Sequence, residues 1–574
     1  MMHKRTATDF PGKQVECADT TIPSAAGQSV SFPEKSTTEL SIVAAVFTAS
    51  CLYFLLFYNY TTLHPDEGII LQGSQRILNG EVLYRDFFSF YTPGSYYWMA
   101  LLFKVFGSSI LVARAALVIY GGIFSSLTYL IARRVCSRWN AVLAIVPTVI
   151  ICLPYQFCAL HNWDSTLWAL LALYSAVRFG ENPSCLWALT LGSLTAVTCL
   201  FEQSKGAGLL VGLALGFVIL GVSGALRLWT DRRYLVFLAL GLVWPFLLTI
   251  AYFGAQHALL QMVSDVLWPI HHYSVVNKVP YGYVERDWID LFHGSFGWRA
   301  FCVVVVSPLF LLPALPILAV CGLAWSTAQL WKRRMGSDLA PYYVLVSAVL
   351  SGLLVGTLAT GRADVGHIVF QAPLFCLVLG WMSEAARTPF LRLVRSWGSV
   401  YLSVSLAALG LAFLLPSSGA RYKLETRRGT LRTSSPDDVF KYVQTRIQPG
   451  EKILVYPGQP LYYYLAGAYS VSRYEWIVPG MHDAAQVREM IADLEAAQPR
   501  AVLFDPLSMD TLGGIYPNIS TQLAAARDPV LDYLASHYRG CQTLATKGME
   551  RPVVFMVRNG LSCSLKANNL AEHW

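Results

Sequence analysis

Apolar runs long enough to cross a bilayer recur near 40–58, 109–132, 141–157, 165–179, 185–201, 206–226, 234–254, 300–322, 341–359, 368–383 and 398–415. Polar turns separate them, and the pattern stops near residue 418. The repetition predicts a polytopic α-helical membrane protein with about eleven transmembrane helices. A further stretch, 91–106 (YTPGSYYWMALLFKVF), is apolar and aromatic but short, and it contains Pro93, Gly94 and Lys104. It predicts a helix lying in the interface.

Counting spans from a cytoplasmic N-terminus puts the basic clusters in cytoplasmic turns. Arg133, Arg134 and Arg138 follow the second span, and Arg227, Arg232 and Arg233 follow the sixth. Lys332, Arg333 and Arg334 follow the eighth; Arg387, Arg392 and Arg395 follow the tenth. Cytoplasmic turns collect Lys and Arg, so the four clusters agree with that orientation. Counting 91–106 as a span would place all four outside, which argues against it.

Residues 1–39 are polar, rich in Ser, Thr and Pro, and lack the layout of a cleavable signal peptide; they predict a disordered cytoplasmic tail. Residues 40–418 form the membrane domain, with the first outward loop at 59–108. Residues 419–574 predict a small outward-facing α/β domain. There Ser435-Pro436 opens a helix bearing Val439, Phe440, Val443 and Ile447. Strand-like runs Ile453–Tyr456, Ala501–Phe504 and Val553–Val557 accompany a helical pattern over Ala484–Ala497.

Composition supports this picture. Of 574 residues, 55% are hydrophobic and only 14% charged, against about a quarter in soluble proteins. The net charge of +8 is spread over short turn clusters, which excludes a phosphate-tracking nucleic-acid surface. The twelve cysteines include no C-x-x-C pair, so a zinc or iron–sulfur site has no support. Only Cys541 and Cys563 lie in the soluble part, where an oxidising compartment would favour a disulfide.

Chemistry concentrates in the outward loops. The first reads His64-Pro65-Asp66-Glu67-Gly68, then Gly80, Tyr84-Arg85-Asp86 and Tyr91-Thr92-Pro93. Adjacent carboxylates at a bilayer boundary are costly unless hydrated, paired or bound to a cation. The structural alternative is that Asp66 caps the following helix and Glu67 stabilises its first turn. Asp164 opens the fourth span and reads either as a site acid or as another cap. His161 reads as a satisfied interfacial histidine. Lys205 lies outside, where the charge rule does not place a lysine, either snorkelling with Glu202 or holding an anion. Arg362, Asp364 and His367 form the other outward cluster, with an Arg362–Asp364 surface pair as the alternative. His271 and His272 show no metal-site spacing.

In these residues the chain resembles the membrane-embedded glycosyltransferases of the C-type fold. Its style is that of the bacterial members similar to protein O-mannosyltransferases and to the lipid A aminoarabinose transferase. Asp66-Glu67, Gly80, Tyr84-Arg85-Asp86, Pro93-Gly94-Ser95-Tyr96-Tyr97 and Arg114 match that family in order. The likeness is specific over about 40–210 and looser to 380. Gly94 departs from it, because the family often carries a second proline there.

The resemblance implies transfer of a sugar, with inversion, from a polyprenyl-phosphate donor to a lipid, glycan or protein acceptor at the periplasmic face of a bacterial inner membrane. It assigns Asp66, Glu67 and Asp164 to the chemistry, and Lys205, Arg362 and Arg85 to the lipid phosphate, with Asp364, His367 and Tyr84 nearby. Carboxylates also suit Mg²⁺ or Mn²⁺, with Asp66 as a ligand, although no cofactor is demanded. Two alternatives stay open: an O-antigen polymerase or ligase type of glycan transferase, and a non-catalytic lipid or glycan transporter.

Overall fold

The computed structural model describes residues 37–225, 232–284, 289–332, 339–385, 388–478, 480–505, 516, 518–519, 528–544 and 553–563. Most of the expected N-terminal tail, together with Arg227, Arg333, Arg334 and Arg387, lies outside the described residues.

The membrane part is helical throughout. Its helices are α1 (Thr37–Phe54), α2 (Pro65–Leu78), α3 (Gly94–Phe106), α4 (Ile110–Ala132), α5 (Arg138–Tyr155) and α6 (His161–Glu181). Then follow α7 (Cys185–Phe201), α8 (Gln203–Val222), α9 (Arg232–Ala255), α10 (Leu259–His271), α11 (Tyr273–Val276), α12 (Phe296–Leu311) and α13 (Ala314–Trp331). The last are α14 (Ala340–Ala359), α15 (Val365–Val369), α16 (Ala372–Phe375), α17 (Leu377–Ala385) and α18 (Pro389–Gly419). Eight of these are long and apolar enough to cross a membrane, and the segments 185–201, 296–311 and 372–384 are shorter apolar helices. The helix α3, at 13 residues, reaches about 20 Å, too short for the hydrocarbon core, and it packs on α2 and α4.

Two expected spans are interrupted. The 300–322 run is broken at Pro313 between α12 and α13, where proline lacks the N–H that a continuous helix needs. The 368–383 run is split into three short helices. Threonines satisfy the carbonyls freed there: Thr166 Oγ1 donates to the Phe370 carbonyl (2.5 Å) and Thr128 Oγ1 to that of Pro373 (2.9 Å).

Several helices meet through glycine. A β-carbon on Gly208 of α8 would crowd the Gly352 carbonyl of α14, and one on Gly352 would overlap Gly208 in return. Small residues allow this close backbone approach between membrane helices.

The charged ends sort into two rims. Glu39 of α1 bonds Tyr129 (2.7 Å) and pairs with Arg138 (2.8 Å) and Arg133 (3.4 Å). Arg134 pairs with Glu181 (2.9 Å), and Glu384 accepts from Asn140 (2.6 Å). The ends of α1, α4, α5, α6 and α17 therefore share one rim, as the alternation of spans requires.

At the opposite rim stands the soluble part. Strands β1 (Tyr422–Thr426) and β2 (Gly429–Thr433) form a hairpin, tied to the end of α1 by Thr61 N–H to the Arg432 carbonyl (3.0 Å). Then come α19 (Asp438–Arg446), β3 (Lys452–Tyr456), α20 (Pro460–Ala466), β4 (Tyr469–Ser470), α21 (Ala484–Ala497) and β5 (Ala501–Phe504), followed by α22 (Pro529–His537), β6 (Tyr538–Leu544) and β7 (Val553–Arg558). A mixed sheet runs β4-β3-β5-β7-β6, parallel among β4, β3 and β5 and antiparallel beyond. The helix expected to open at Ser435-Pro436 is instead capped by Asp437, which accepts from the Phe440 N–H (2.7 Å).

Cys541 and Cys563 are joined by a disulfide, with their Cα atoms 5.5 Å apart. Free-thiol labelling of the denatured, non-reduced protein should leave both unmodified; labelling of both would reject the bridge.

Candidate functional site

The Asp66-Glu67 pair opens α2, and its two members have opposite environments. His64 is the N-cap, its Nδ1 accepting from the Asp66 N–H (3.3 Å), and Pro65 fills the first helical position. Capping therefore does not use either carboxylate. Asp66 is exposed, and among the described residues its carboxylate has no hydrogen bond or ion pair. Glu67 is 0% exposed: one oxygen accepts from Arg114 of α4 (2.6 Å), the other from the Ala159 N–H (2.9 Å). Arg114 also donates to the Phe157 and Tyr60 carbonyls. Glu67 is thus a buried anchor, which corrects its expected role as chemical partner to Asp66.

The other expected residues divide in the same way. Lys205 is 1% exposed, and its Nζ reaches Glu202 (2.9 Å), the Asn162 carbonyl (2.8 Å), Ser165 Oγ (2.7 Å) and Thr166 Oγ1 (2.9 Å). Three protons already serve four acceptors, so the lysine straps α8 to α6. Asp164 is buried and accepts from Tyr120 (2.9 Å), which in turn accepts from Trp98 (2.6 Å) of α3. It is not the cap of α6 either, since Leu160 holds that position. Asp164 ties the interfacial helix to the spans.

Tyr84 has φ 70°, a left-handed conformation, and is buried; its hydroxyl donates to the Tyr91 carbonyl (2.8 Å) and its carbonyl accepts from Arg473 (2.9 Å). Arg85 stays exposed, forked on Asp86 (2.9 and 2.8 Å) and touching the Gln256 carbonyl (3.3 Å). Neither is brought to Asp66 by a bond.

The second charged group on the side of the soluble part is Arg362–Asp364–His367. Arg362 Nε donates to Asp364 Oδ2 (2.6 Å), and a further Arg362 nitrogen donates to Asn277. Asp364 caps α15 and meets His367 Nδ1 at 2.8 Å. Burial works against the Asp364 charge, yet His367 and Arg362 hold its carboxyl well below the ordinary range. His367 keeps 36% of its side chain exposed. Beneath this group, Tyr155, Tyr283, Val306, Phe310 and Gly366 line a largely apolar pocket.

Aromatic rings connect the two charged groups. Tyr91 lies against His161 with ring centres 3.9 Å apart, and Phe90 packs on Tyr273 at 5.3 Å. His161 stands within electrostatic reach of Asp66, Glu202, Lys205 and His367. Burial and then the Asp66 charge push the Tyr91 hydroxyl well above its usual range. Burial lifts Tyr273 to about 12, with Arg362 opposing and Asp66 and Asp364 adding. Tyr516, from the soluble part, is raised by burial, Tyr273 and Asp66. Asp66 and the Arg362–Asp364 pair therefore both bear on Tyr273. Tyr273, Tyr516 and Asn277 carried no pattern in the sequence, whereas Tyr91 stood in the Tyr-Thr-Pro motif.

No group of three or more His, Cys, Asp or Glu side chains placed to hold a metal occurs among the described residues. With both Glu67 oxygens engaged, Asp66 alone is a poor match for Mg²⁺ or Mn²⁺, and no step is derived through a metal.

The soluble part is ionically bound to these loops. Arg76 pairs with Glu475 (3.2 Å), and Arg473 pairs with Asp265 of α10 (3.1 Å). Burial pushes Glu475 up to about 7 and Asp265 up to about 6, against the pull of their arginines. Both acids bind protons more tightly folded than unfolded. Their contribution to stability is complete below their unfolded pKa values and is lost as pH rises through about 6 and 7. Thermal unfolding of wild type should therefore lose stability between about pH 4.5 and 7 relative to Glu475→Gln, and parallel pH profiles would contradict this.

Residues 91–249 match the sequence model of the dolichyl-phosphate-mannose-protein mannosyltransferase family, in agreement with the resemblance read from Pro93–Tyr97, Arg114 and the spans behind them. The matched stretch includes Tyr91, Arg114, His161, Asp164 and Lys205 and begins after Asp66. No curated protein sequence matches the chain. Among solved structures, ArnT from Cupriavidus metallidurans bound to undecaprenyl phosphate is 13% identical, covering 91% of this chain and 98% of that one, with a TM-score of 0.48. Its apo state gives 13%, 92%, 98% and 0.45. The archaeal oligosaccharyltransferase AglB from Archaeoglobus fulgidus, in complex with an inhibitory peptide and a dolichol-phosphate, is 13% identical over 88% of this chain and 73% of that one, at 0.46.

Proposed function

We propose that this protein transfers a sugar from a polyprenyl-phosphate donor to an envelope acceptor, with Asp66 as the general base. It is a multi-pass membrane glycosyltransferase, and the sugar is a hexose or a pentose. The observation that carries the reading is Asp66 itself: an exposed carboxylate that has no hydrogen bond or ion pair among the described residues, whereas Glu67, Glu202 and Asp364 are engaged. A base must be unpaired and reachable to accept the proton of the attacking hydroxyl or amine.

The chemistry balances simply. The acceptor oxygen or nitrogen bonds to the anomeric carbon from the face opposite the phosphate, and the anomeric C–O bond breaks. Asp66 takes the acceptor proton, and the electron pair leaves on polyprenyl phosphate, so the anomeric configuration inverts. His367, whose side chain keeps 36% of its surface exposed, is placed to donate a hydrogen bond to that phosphate as its charge grows.

The site lies at the periplasmic face of a bacterial inner membrane, with the N-terminus cytoplasmic and the soluble domain outside. An alkaline phosphatase reporter fused after residue 420 should be active. A reporter active only in the cytoplasm would reverse the orientation.

A further inference from the structure

The helix that presents Asp66 is gripped along one face by the soluble part. On α2, Gly68 allows the backbone of Leu461 in α20 to approach so closely that a β-carbon would overlap it. One turn on, Gln72 Nε2 donates to the Ala468 carbonyl (3.2 Å). After another turn, Arg76 meets Glu475 (3.2 Å), and Asn79 Nδ2 donates to the Tyr469 hydroxyl (2.6 Å). The spacing of 68, 72, 76 and 79 is one helical stripe. At its start α2 is tied the other way, through Glu67 to Arg114 of the spans. Asp66 thus sits on a short rod held between the membrane core and the soluble domain.

We propose that Glu475 is a positioning residue for Asp66: through Arg76 it fixes α2, so the soluble domain sets the geometry of the outward site. Arg76 lies about 15 Å from Asp66 along the helix. Its guanidinium also pairs with Glu81 (2.6 Å), donates to the Asp86 carbonyl (3.0 Å) and covers the Phe87 ring (4.7 Å), so one side chain gathers the first loop around α2. Removing Glu475 takes one of its two carboxylates from buried Arg76 and loosens the grip on the C-terminal half of α2. Displacements of about 1 Å at a reacting group can cost about 10²-fold in rate.

The kinetic arm of the test rests on Asp66 being the base; the structural arm does not. In the full-length protein in nanodiscs, hydrogen–deuterium exchange is followed over residues 65–79. Glu475→Ala should speed exchange there about tenfold or more, while Glu475→Gln, which keeps the hydrogen bond, restores it. Transfer from undecaprenyl-phosphate sugars should lose about 10–100-fold in kcat with donor KM within about twofold, again recovered by Gln. Should Glu475→Ala fail to accumulate, Tyr469→Phe removes an exposed bond to the same helix and should raise exchange over 76–79. Unchanged exchange overturns the clamp, as does a lowered melting temperature with wild-type kcat. If wild type transfers none of the sugars, the functional reading fails and the exchange result still decides the clamp.

Discussion

Asp66→Asn lowers turnover by about 10²–10⁴-fold while leaving binding of undecaprenyl phosphate and the melting temperature near wild type. The expectation follows from what Asp66 lacks. It makes no hydrogen bond or ion pair among the described residues, so the isosteric amide breaks nothing in the fold. Its loss should fall on the step in which the acceptor proton moves. Transfer rates under saturating donor, with thermal unfolding of the same sample, check both halves. A mild rate loss would return Asp66 to a merely polar first turn.

The neighbouring position should respond in the opposite sense. Glu67→Ala leaves Arg114 buried, 2% exposed, with the Tyr60 and Phe157 carbonyls and the Phe157 ring but no carboxylate among the described residues. Breaking a buried ion pair from one side costs about 3–5 kcal/mol, because an uncompensated charge stays behind. Glu67→Ala should therefore reduce the amount of folded protein and its melting temperature, and Arg114→Ala should do the same. Two adjacent acids would then separate cleanly, one by rate and one by stability. Wild-type stability in both variants would show that the Glu67–Arg114 bond does not hold the loop to the spans.

The sequence made the frame legible because its signals are local. Apolar runs marked the spans, and the 484–497 periodicity gave that helix with the bounds it has in the structure. Basic turns sort residues to rims, and so place Asp66, Lys205 and Arg362 on one side of the membrane. What stayed hidden depends on distant partners. Glu67 and Asp66 look alike in the chain, and only Arg114 and the Ala159 N–H distinguish them. Lys205 is open in the sequence between pairing with Glu202 and holding an anion, and only the fold shows its contacts to Ser165, Thr166 and the Asn162 carbonyl. The breaks at Pro313 and around Gln371 fall inside strongly apolar runs, where hydropathy is blind to local hydrogen bonding.

The central claim is inverting transfer from a polyprenyl-phosphate sugar at the site of Asp66. Its most direct measurement incubates purified protein with a panel of undecaprenyl-phosphate hexoses and pentoses plus envelope acceptors, and reads the product by mass spectrometry and its anomeric configuration by NMR. The account predicts that one donor is consumed, that the product has the anomeric configuration opposite to the donor, and that Asp66→Asn suppresses its formation. A product that retains the donor configuration, or one formed equally well by Asp66→Asn, would contradict it.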